Sequence, residues 1–398
     1  MLENRDLIVL SGDWDRKNPA AVQHVTEVFA RLNRVLWVSG TPIRPPGLRL
    51  NDLPRIIDKG RKMLGYPPQP DPEPLPVTEI HPFFLPFYDN RVVRRFNDAF
   101  LRRAILTKVR ELGFRNYIMI PSNPMVAGII GTCGASSSHY FCIDDYGAND
   151  GAFRSLGDRE TEILQKVDSS FSMSDVLMKN RIPKSGENHF FAEGVDLEHF
   201  TARGGSPPAE IAVLKRPIVG YFGLLASWVD FELIRRCAAE YPHASFVVMG
   251  KAKTDISLLQ GVPNITCLGH VPYEILPRYA EWFDVGMIPR RITRLTVAMN
   301  PKKLLEYFAM GTPVVSTSLP EVKKYGDLVF VAEDNDQFVR MVGEALRDNT
   351  PERKRRRRAE AERSSWDSIA RGMSDIIQRI DERKAINRKT AGHDKTPE

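Results

Sequence analysis

The stretch "AMNPKKLLEYFAMGTPVV" (residues 298–315) reads as a helix that opens at Asn300-Pro301, closes at Gly311 and leads into a β-strand. Asn is a strong N-cap, and Pro suits the first helical turn, where no N–H partner is needed. Gly311 ends the helix over residues 301–310, and residues 313–316 return the chain to a sheet. Any well-built β-α-β unit has those features. Lys302 and Lys303 are different, because cations at a helix N-terminus oppose the macrodipole by roughly a few tenths of a kcal/mol each. A phosphate at the helix mouth reverses that sign. Glu306, one turn beyond Lys303, is placed either to accept hydrogen bonds from sugar hydroxyls or to form an exposed ion pair of little energy with Lys303. The residues alone leave both readings open.

Outward from this segment the chain alternates strands and helices. Residues 6–11, 34–39, 116–120, 140–143 and 169–173 read as strands, with helices over 20–32 and Arg91–Leu112 among them. Residues 41–80, ending in "YPPQPDPEPLP" before the next apolar run, read as an irregular insertion. "TARGGSPPA" (201–209) marks a linker. Beyond it strands are expected at 218–222, 246–249, 265–268, 284–288 and 313–316, with helices over 231–240 and 274–281 between them. Two successive runs of β-α-β units predict two doubly wound domains facing across a cleft, at 1–200 and 216–350, with 201–215 between them. Residues 351–398 are expected to form a basic helical segment and tail, in which 364–380 packs back on the body.

The 398 residues, 42% of them hydrophobic and 27% charged, exclude a disordered chain and exceed the usual size of one core. The net charge of +6 favours anionic partners, although much of it lies in the solvent-facing run "KRRRR" (354–358). Cys133, Cys142, Cys237 and Cys267 have neither metal-type spacing nor a disulfide framework, so they read as small buried apolar residues in a reducing compartment. The N-terminus reads as a first strand and not a signal peptide, and no apolar run reaches the ~20 residues of a membrane span. The expected location is cytoplasmic, at most peripheral on the inner face of the membrane. In the helix over 91–112, Arg91, Arg94, Arg95, Arg102 and Arg103 are interleaved with Phe96, Phe100 and Leu101. Such a helix either seats the first domain on an anionic membrane or packs by its apolar stripe.

The segment NPKKLLEYFAMGTPVVST (300–317) resembles the donor-site motif NPxKLxEYLAxGxPVVST of the GT-B glycosyltransferases, specifically bacterial polysaccharide-type enzymes. "GYFGLLASWVDFELI" (220–234), "FAEGVDLEHF" (191–200), "LGHVPYEILPRYAEWFDVGMIP" (268–289), "FNDAFLRRAI" and "YFCIDDYGA" resemble further segments of the same group in the same order. The resemblance covers most of residues 1–380 and is weakest over 41–80. It implies a GT-B architecture that moves a hexose-type sugar, most simply from a UDP donor, to a polysaccharide or polyprenyl-diphosphate-linked glycan. It implies that Lys303 neutralises the donor diphosphate and that Glu306 binds the ribose hydroxyls. Gly223, Gly250, Val271 and Asn300 complete the implied nucleotide site. One departure stands out: many retaining relatives carry a Glu eight positions before the helix Glu, where this chain has Ala298. Inversion without a metal or other cofactor is therefore expected.

An inverting transferase needs a carboxylate to take the acceptor proton. Asp144 and Asp145 follow a strand at the edge where α/β ligands bind. Alternation points them to opposite faces, so they make a poor bidentate metal site. Asp145 is preferred as base, and the alternative is that either merely caps the next segment. Asp13, after the first strand, is a weaker candidate, and Trp14 either stacks on a sugar or packs locally. His24 reads as a surface or packed residue. "SGDWD" after the first strand lacks the dinucleotide fingerprint, and no Gly-x-Ser-x-Gly elbow is present. The rival readings are a nucleotide-sugar epimerase of the same architecture and a non-catalytic sugar-nucleotide scaffold. A nucleic-acid binder rests only on the basic balance and is not expected.

Overall fold

The computed structural model describes residues 1–15, 19–40, 42–43, 77–85, 87–148, 151–201, 204–347 and 350–393. Most of the expected insertion over 41–80 lies outside them. The chain forms two compact units: the first from residues 1–191 together with the segment from Ile369 onward, the second from Ala192 to Ser368.

The first unit is a parallel sheet of β1 (Asp6–Leu10), β2 (Arg34–Val38), β3 (Thr78–Ile80), β4 (Ile118–Pro121), β5 (Ser137–Cys142), β6 (Ser169–Ser172) and β7 (Asn188–Phe190), in the order β3-β2-β1-β4-β5-β6-β7. Every residue of β1 is buried, as a run such as Leu-Ile-Val-Leu requires when helices cover both faces. β3 was not expected, because it emerges from the end of the Pro-rich stretch, and it pairs parallel with β2. The long helix Arg91–Leu112 is capped by Asn90, whose side chain accepts from the N–H groups of Val92 and Val93, and it ends at Gly113 in the left-handed conformation. From Ile369 the C-terminal segment packs on this unit: Met373, Ile377 and Ile380 are buried, and the Gln378 side chain donates to the Met1 carbonyl at 3.1 Å.

The second unit repeats the pattern with β8 (Ile218–Phe222), β9 (Ser245–Met249), β10 (Ile265–Gly269), β11 (Val285–Ile288), β12 (Val314–Thr317) and β13 (Phe330–Ala332), in the order β10-β9-β8-β11-β12-β13. In both sheets the strand order reverses beside the first strand, between β1 and β4 and between β8 and β11. Those are the switch points at which doubly wound sheets take ligands at their carboxyl edge.

The unit boundaries differ from the expected ones. The helix Leu197–Thr201 belongs to the second unit, where Phe200 is buried in its core. The expected linker contributes a short helix, Ala209–Ala212, whose Ile211 joins the same core. The second unit continues through the helix Pro351–Arg363.

The run over 354–358 is solvent-facing only in part: Arg355 and Arg356 are exposed, and the rest turns towards the protein. Arg357 is fully buried and donates from Nε to the Leu328 carbonyl at 3.1 Å. Arg356 forks onto both carboxylate oxygens of Asp327 at 2.6 and 2.7 Å. Arg358 reaches the Met310 carbonyl at 3.4 Å, at the C-terminal end of the helix Lys303–Met310. A cation there complements the helix dipole, and the long basic stems cover apolar surface.

Two glycines set how closely that helix lies on its sheet. A Cβ at Gly286 of β11 would come within 2.7 Å of the Tyr307 ring. Tyr307 donates its hydroxyl to the Gly220 carbonyl of β8 at 3.0 Å. Leu304, Leu305, Tyr307 and Phe308 are all buried, so the helix is locked beneath the switch point and its first turn is carried to the carboxyl edge. No helix among the described residues is long and apolar enough to cross a membrane.

Candidate functional site

The site of the second unit starts from two residues that must be glycine. Gly223 follows β8 at φ +129° and Gly250 follows β9 at φ +150°, a region that L side chains rarely adopt. Their N–H groups bond to the carbonyls of Met249 and Gly269 respectively. A Cβ on Gly250 would overlap the Gly223 carbonyl, and a Cβ on Gly223 would lie 2.5 Å from the Lys303 amine. The Lys303 side chain therefore lies across the bare Cα of Gly223, with its Nζ 5.6 Å from the centre of the Tyr221 ring. Gly223, Gly250 and Lys303, three residues far apart in sequence, are brought together at the carboxyl edge.

Electrostatics make this a place for an anion. Loss of hydration, reinforced by the Arg290 guanidinium and only partly offset by Glu306, pushes the Lys303 amine down to about 7. Arg290 follows β11, on the other side of the switch point; it is nearly buried, and one guanidinium nitrogen lies 2.6 Å from the Met299 sulfur. Two cations held in a poorly hydrated site repel one another, and an arriving diphosphate would relieve that repulsion. Arg290 was not singled out in the sequence. It sits outside the Asn-Pro-x-Lys segment, and only the order of the strands shows that it shares a corner with Gly223.

Glu306 is 4% exposed, and burial raises its carboxyl above the ordinary range against the pull of Lys302, Lys303 and His199. Its ion-pair partner is Lys302, at 3.9 Å, and not Lys303, because the i, i+4 spacing lets Lys302 lean over the carboxylate. Lys302 also lies 5.6 Å from the centre of the Tyr273 ring. His199 stacks on Tyr273 at 4.4 Å and donates from Nε2 to the Tyr273 carbonyl at 2.7 Å. Val271 is half-buried against the core that holds Leu304 and Leu305.

Asn300 is not the N-cap. The helix begins at Lys303 with Lys302 in the cap position, already helical in its backbone angles. The Pro301 carbonyl takes the Leu304 N–H, so the helical turn starts after the proline and not on it. Ala298 closes a separate short helix, Arg294–Val297, and is 1% exposed. A buried methyl group therefore stands where a second carboxylate was considered.

In the first unit the geometry separates the two aspartates, and Asp145, the expected base, is the one held in an internal ion pair. Asp145 is buried and accepts from Arg181 Nη2 at 2.8 Å. Arg181 also donates from Nε to Glu160 at 3.0 Å, and Glu160 accepts the Tyr140 hydroxyl at 3.0 Å. A carboxylate committed to a buried guanidinium belongs to the internal ion-pair network of the fold. Asp144 is partly exposed just beyond the end of β5, and its Oδ1 accepts the Asp145 N–H at 2.9 Å.

Asp13 is exposed in the loop after β1. Trp14 packs edge-on against Trp37 at 4.7 Å, and Trp37 in turn donates to the Gly12 carbonyl at 3.0 Å. Trp14 is thus part of the scaffold that shapes this loop. His24 is buried and lies 3.7 Å from Glu27. Among the described residues no group of three or more His, Cys, Asp or Glu side chains is arranged to hold a metal ion.

Residues 216–348 match the family model "Glycosyl transferases group 1", which covers the whole sheet carrying Gly223 and Lys303. The solved sucrose-phosphate synthase of Thermosynechococcus elongatus superposes with a TM-score of 0.69 over 95% of this chain and 99% of that one, at 14% identity. The fold is GT-B. Trehalose-6-phosphate synthase OtsA gives a TM-score of 0.67 over 94% of this chain and 99% of its own, at 10% identity. Anabaena Alr3699/HepE, solved with UDP and glucose, gives 0.63 over 94% and 99%, at 11% identity. At these identities the likeness speaks for the GT-B fold alone. A Bacillus subtilis (strain 168) protein assigned to teichuronic acid biosynthesis as the glycosyltransferase TuaH is 32% identical over 174 residues. That match spans 42% of this chain and 44% of the relative, so the chain covers less than half the relative's length. The group 1 match over residues 216–348 and the GT-B fold of the solved structures describe the same second-unit sheet.

Proposed function

We propose that the protein transfers a hexose-type sugar from a UDP donor to a hydroxyl of a polysaccharide or lipid-linked glycan. The observation that carries this reading is the Lys303 amine lying across Gly223 with Arg290 beside it, at the switch point of a group 1 glycosyltransferase domain. The names of two similar proteins support the substrate class: HepE was solved with UDP and with UDP-glucose, and TuaH is assigned to teichuronic acid biosynthesis.

In the reaction the acceptor oxygen attacks the anomeric carbon, and the bond from that carbon to the diphosphate oxygen breaks. The electron pair leaves on the diphosphate. Lys303 and Arg290 meet the charge that develops there, which is where electrostatic help has the largest effect. The missing side chain of Gly223 leaves the space that the Lys303 amine occupies, and so brings that amine to the phosphates. Glu306 accepts hydrogen bonds from the ribose hydroxyls, and Asn300 and Val271 border the nucleoside. We assign the acceptor proton to Asp144, and inversion without a metal to the reaction, since Ala298 offers no second carboxylate on the donor side.

The test is a panel of UDP-, GDP- and ADP-sugars incubated with the purified protein. UDP should be released from a UDP-hexose, faster when a glycan acceptor is added, and the other nucleotides should stay intact. Conversion of the UDP-sugar to an epimer without release of UDP would overturn the transferase reading.

A further inference from the structure

Around the N-terminal half of the helix Arg91–Leu112 the first unit exposes an apolar face that the chemistry above does not use. Phe87 is 68% exposed and Val92 76%, while Phe83, Phe96 and Phe100 each keep more than two-fifths of their surface in water. Their grouping is built into the fold. The i, i+4, i+8 spacing aligns Val92, Phe96 and Phe100 along the helix. Phe96 and Phe100 pack ring to ring at 4.6 Å, and Phe83 meets Phe100 edge-on at 6.3 Å. Asn97 holds the segment that carries Phe83 against the helix through a reciprocal pair of hydrogen bonds with the Leu85 backbone, both 2.9 Å. The aromatic rings are thus presented by a fixed scaffold.

The charges around this face have one sign. Arg91, Arg95 and Arg103 are exposed beside it. Arg94 and Arg102 are spent on carbonyls, Arg94 on Tyr88 and Asp89 and Arg102 on Thr132, so they brace the helix. Between Arg91 and Arg110 the helix carries one acid, Asp98, and that carboxylate pairs with Arg159 at 2.6 Å. Asp89, just before the helix, accepts the Ser155 N–H at 2.9 Å.

We infer that this face docks on an anionic lipid bilayer. Exposed phenylalanines beside unpaired arginines match the boundary of such a bilayer, where rings enter the acyl region and guanidinium groups reach the headgroup phosphates. A second copy of the same face would set like charges against one another. The inference concerns the first unit only and stands whether or not the proposed donor is correct.

Sedimentation with vesicles tests it, comparing phosphatidylcholine mixed with phosphatidylglycerol against phosphatidylcholine alone. The wild-type chain should pellet with the mixed vesicles only, and added salt should release it. Arg95→Gln and Arg103→Gln should each weaken partitioning about fivefold. The triple variant Phe87→Ser, Phe96→Ser, Phe100→Ser should remain in the supernatant. Phe96→Trp, a milder change, should shift its added emission to the blue when mixed vesicles are present. Failure of the wild type to pellet would overturn the inference, as would undiminished binding of the triple variant. So would gel filtration showing a dimer that the triple variant abolishes, since the face would then belong to a second copy.

Discussion

Arg181→Met is expected to cost the first unit about 3–5 kcal/mol, because it leaves Asp145 and Glu160 buried without their shared cation. Both carboxylates receive the same guanidinium, at 2.8 and 3.0 Å, and both side chains keep less than a tenth of their surface in water. Burial already raises the Glu160 carboxyl despite Arg181, so removal of Arg181 drives protonation of Glu160. Asp145→Asn should destabilise in the same direction by a smaller amount, since the amide oxygen still accepts from the guanidinium. Chemical denaturation of the two variants measures both effects. A wild-type midpoint for Arg181→Met would mean that the network is not a support of the fold.

Asp144→Asn is expected to behave in the opposite way. Removal of a general base typically reduces turnover ~10²–10⁴-fold. A partly exposed substitution of this kind should change stability by no more than about 0.5 kcal/mol. Nucleotide binding in the second unit should be unaffected. The two aspartates are therefore separable by experiment: one variant loses stability and the other loses turnover. NMR of the product adds an independent check, since inversion from an α-linked donor gives a β-linkage. An α-linked product, or full turnover by Asp144→Asn, would remove the base assignment.

How much of this was legible in the sequence differs between the units. The second unit could be read closely, because its strands are short apolar runs separated by turn residues and one continuous segment carries Lys303 and Glu306. Its positive-φ glycines are visible as glycines, yet their meaning is not. That Gly223 must be bare because Lys303 lies across it follows only from the fold. Arg290 was illegible for the same reason, since its importance comes from strand order and not from its neighbours in the chain. In the first unit the strand before Asp144 was found, but alternation alone could not say which aspartate faces inward. Arg181, thirty-six residues further on, decides that, and an isolated arginine gives no sequence signal. The basic run is legible only in part: Arg355 and Arg356 face solvent as composition suggests, whereas Arg357 and Arg358 serve a buried loop carbonyl and a helix end.

The central claim, that Lys303 meets the donor diphosphate, is tested most directly by calorimetric titration with UDP-glucose across pH. In the free protein the Lys303 amine titrates at about 7. A bound diphosphate favours its charged form and raises that value, so the complex holds more protons than the free protein above pH 7. Affinity should therefore be greatest below pH 7 and fall towards tenfold per pH unit above it, with proton uptake on binding. Lys303→Met should weaken binding about 10- to 150-fold near pH 7, the range of a charge-assisted contact of about 1.5–3 kcal/mol, and should abolish the pH dependence. An affinity that is flat from below to above neutral pH in the wild type, and unchanged in Lys303→Met, would contradict the donor site.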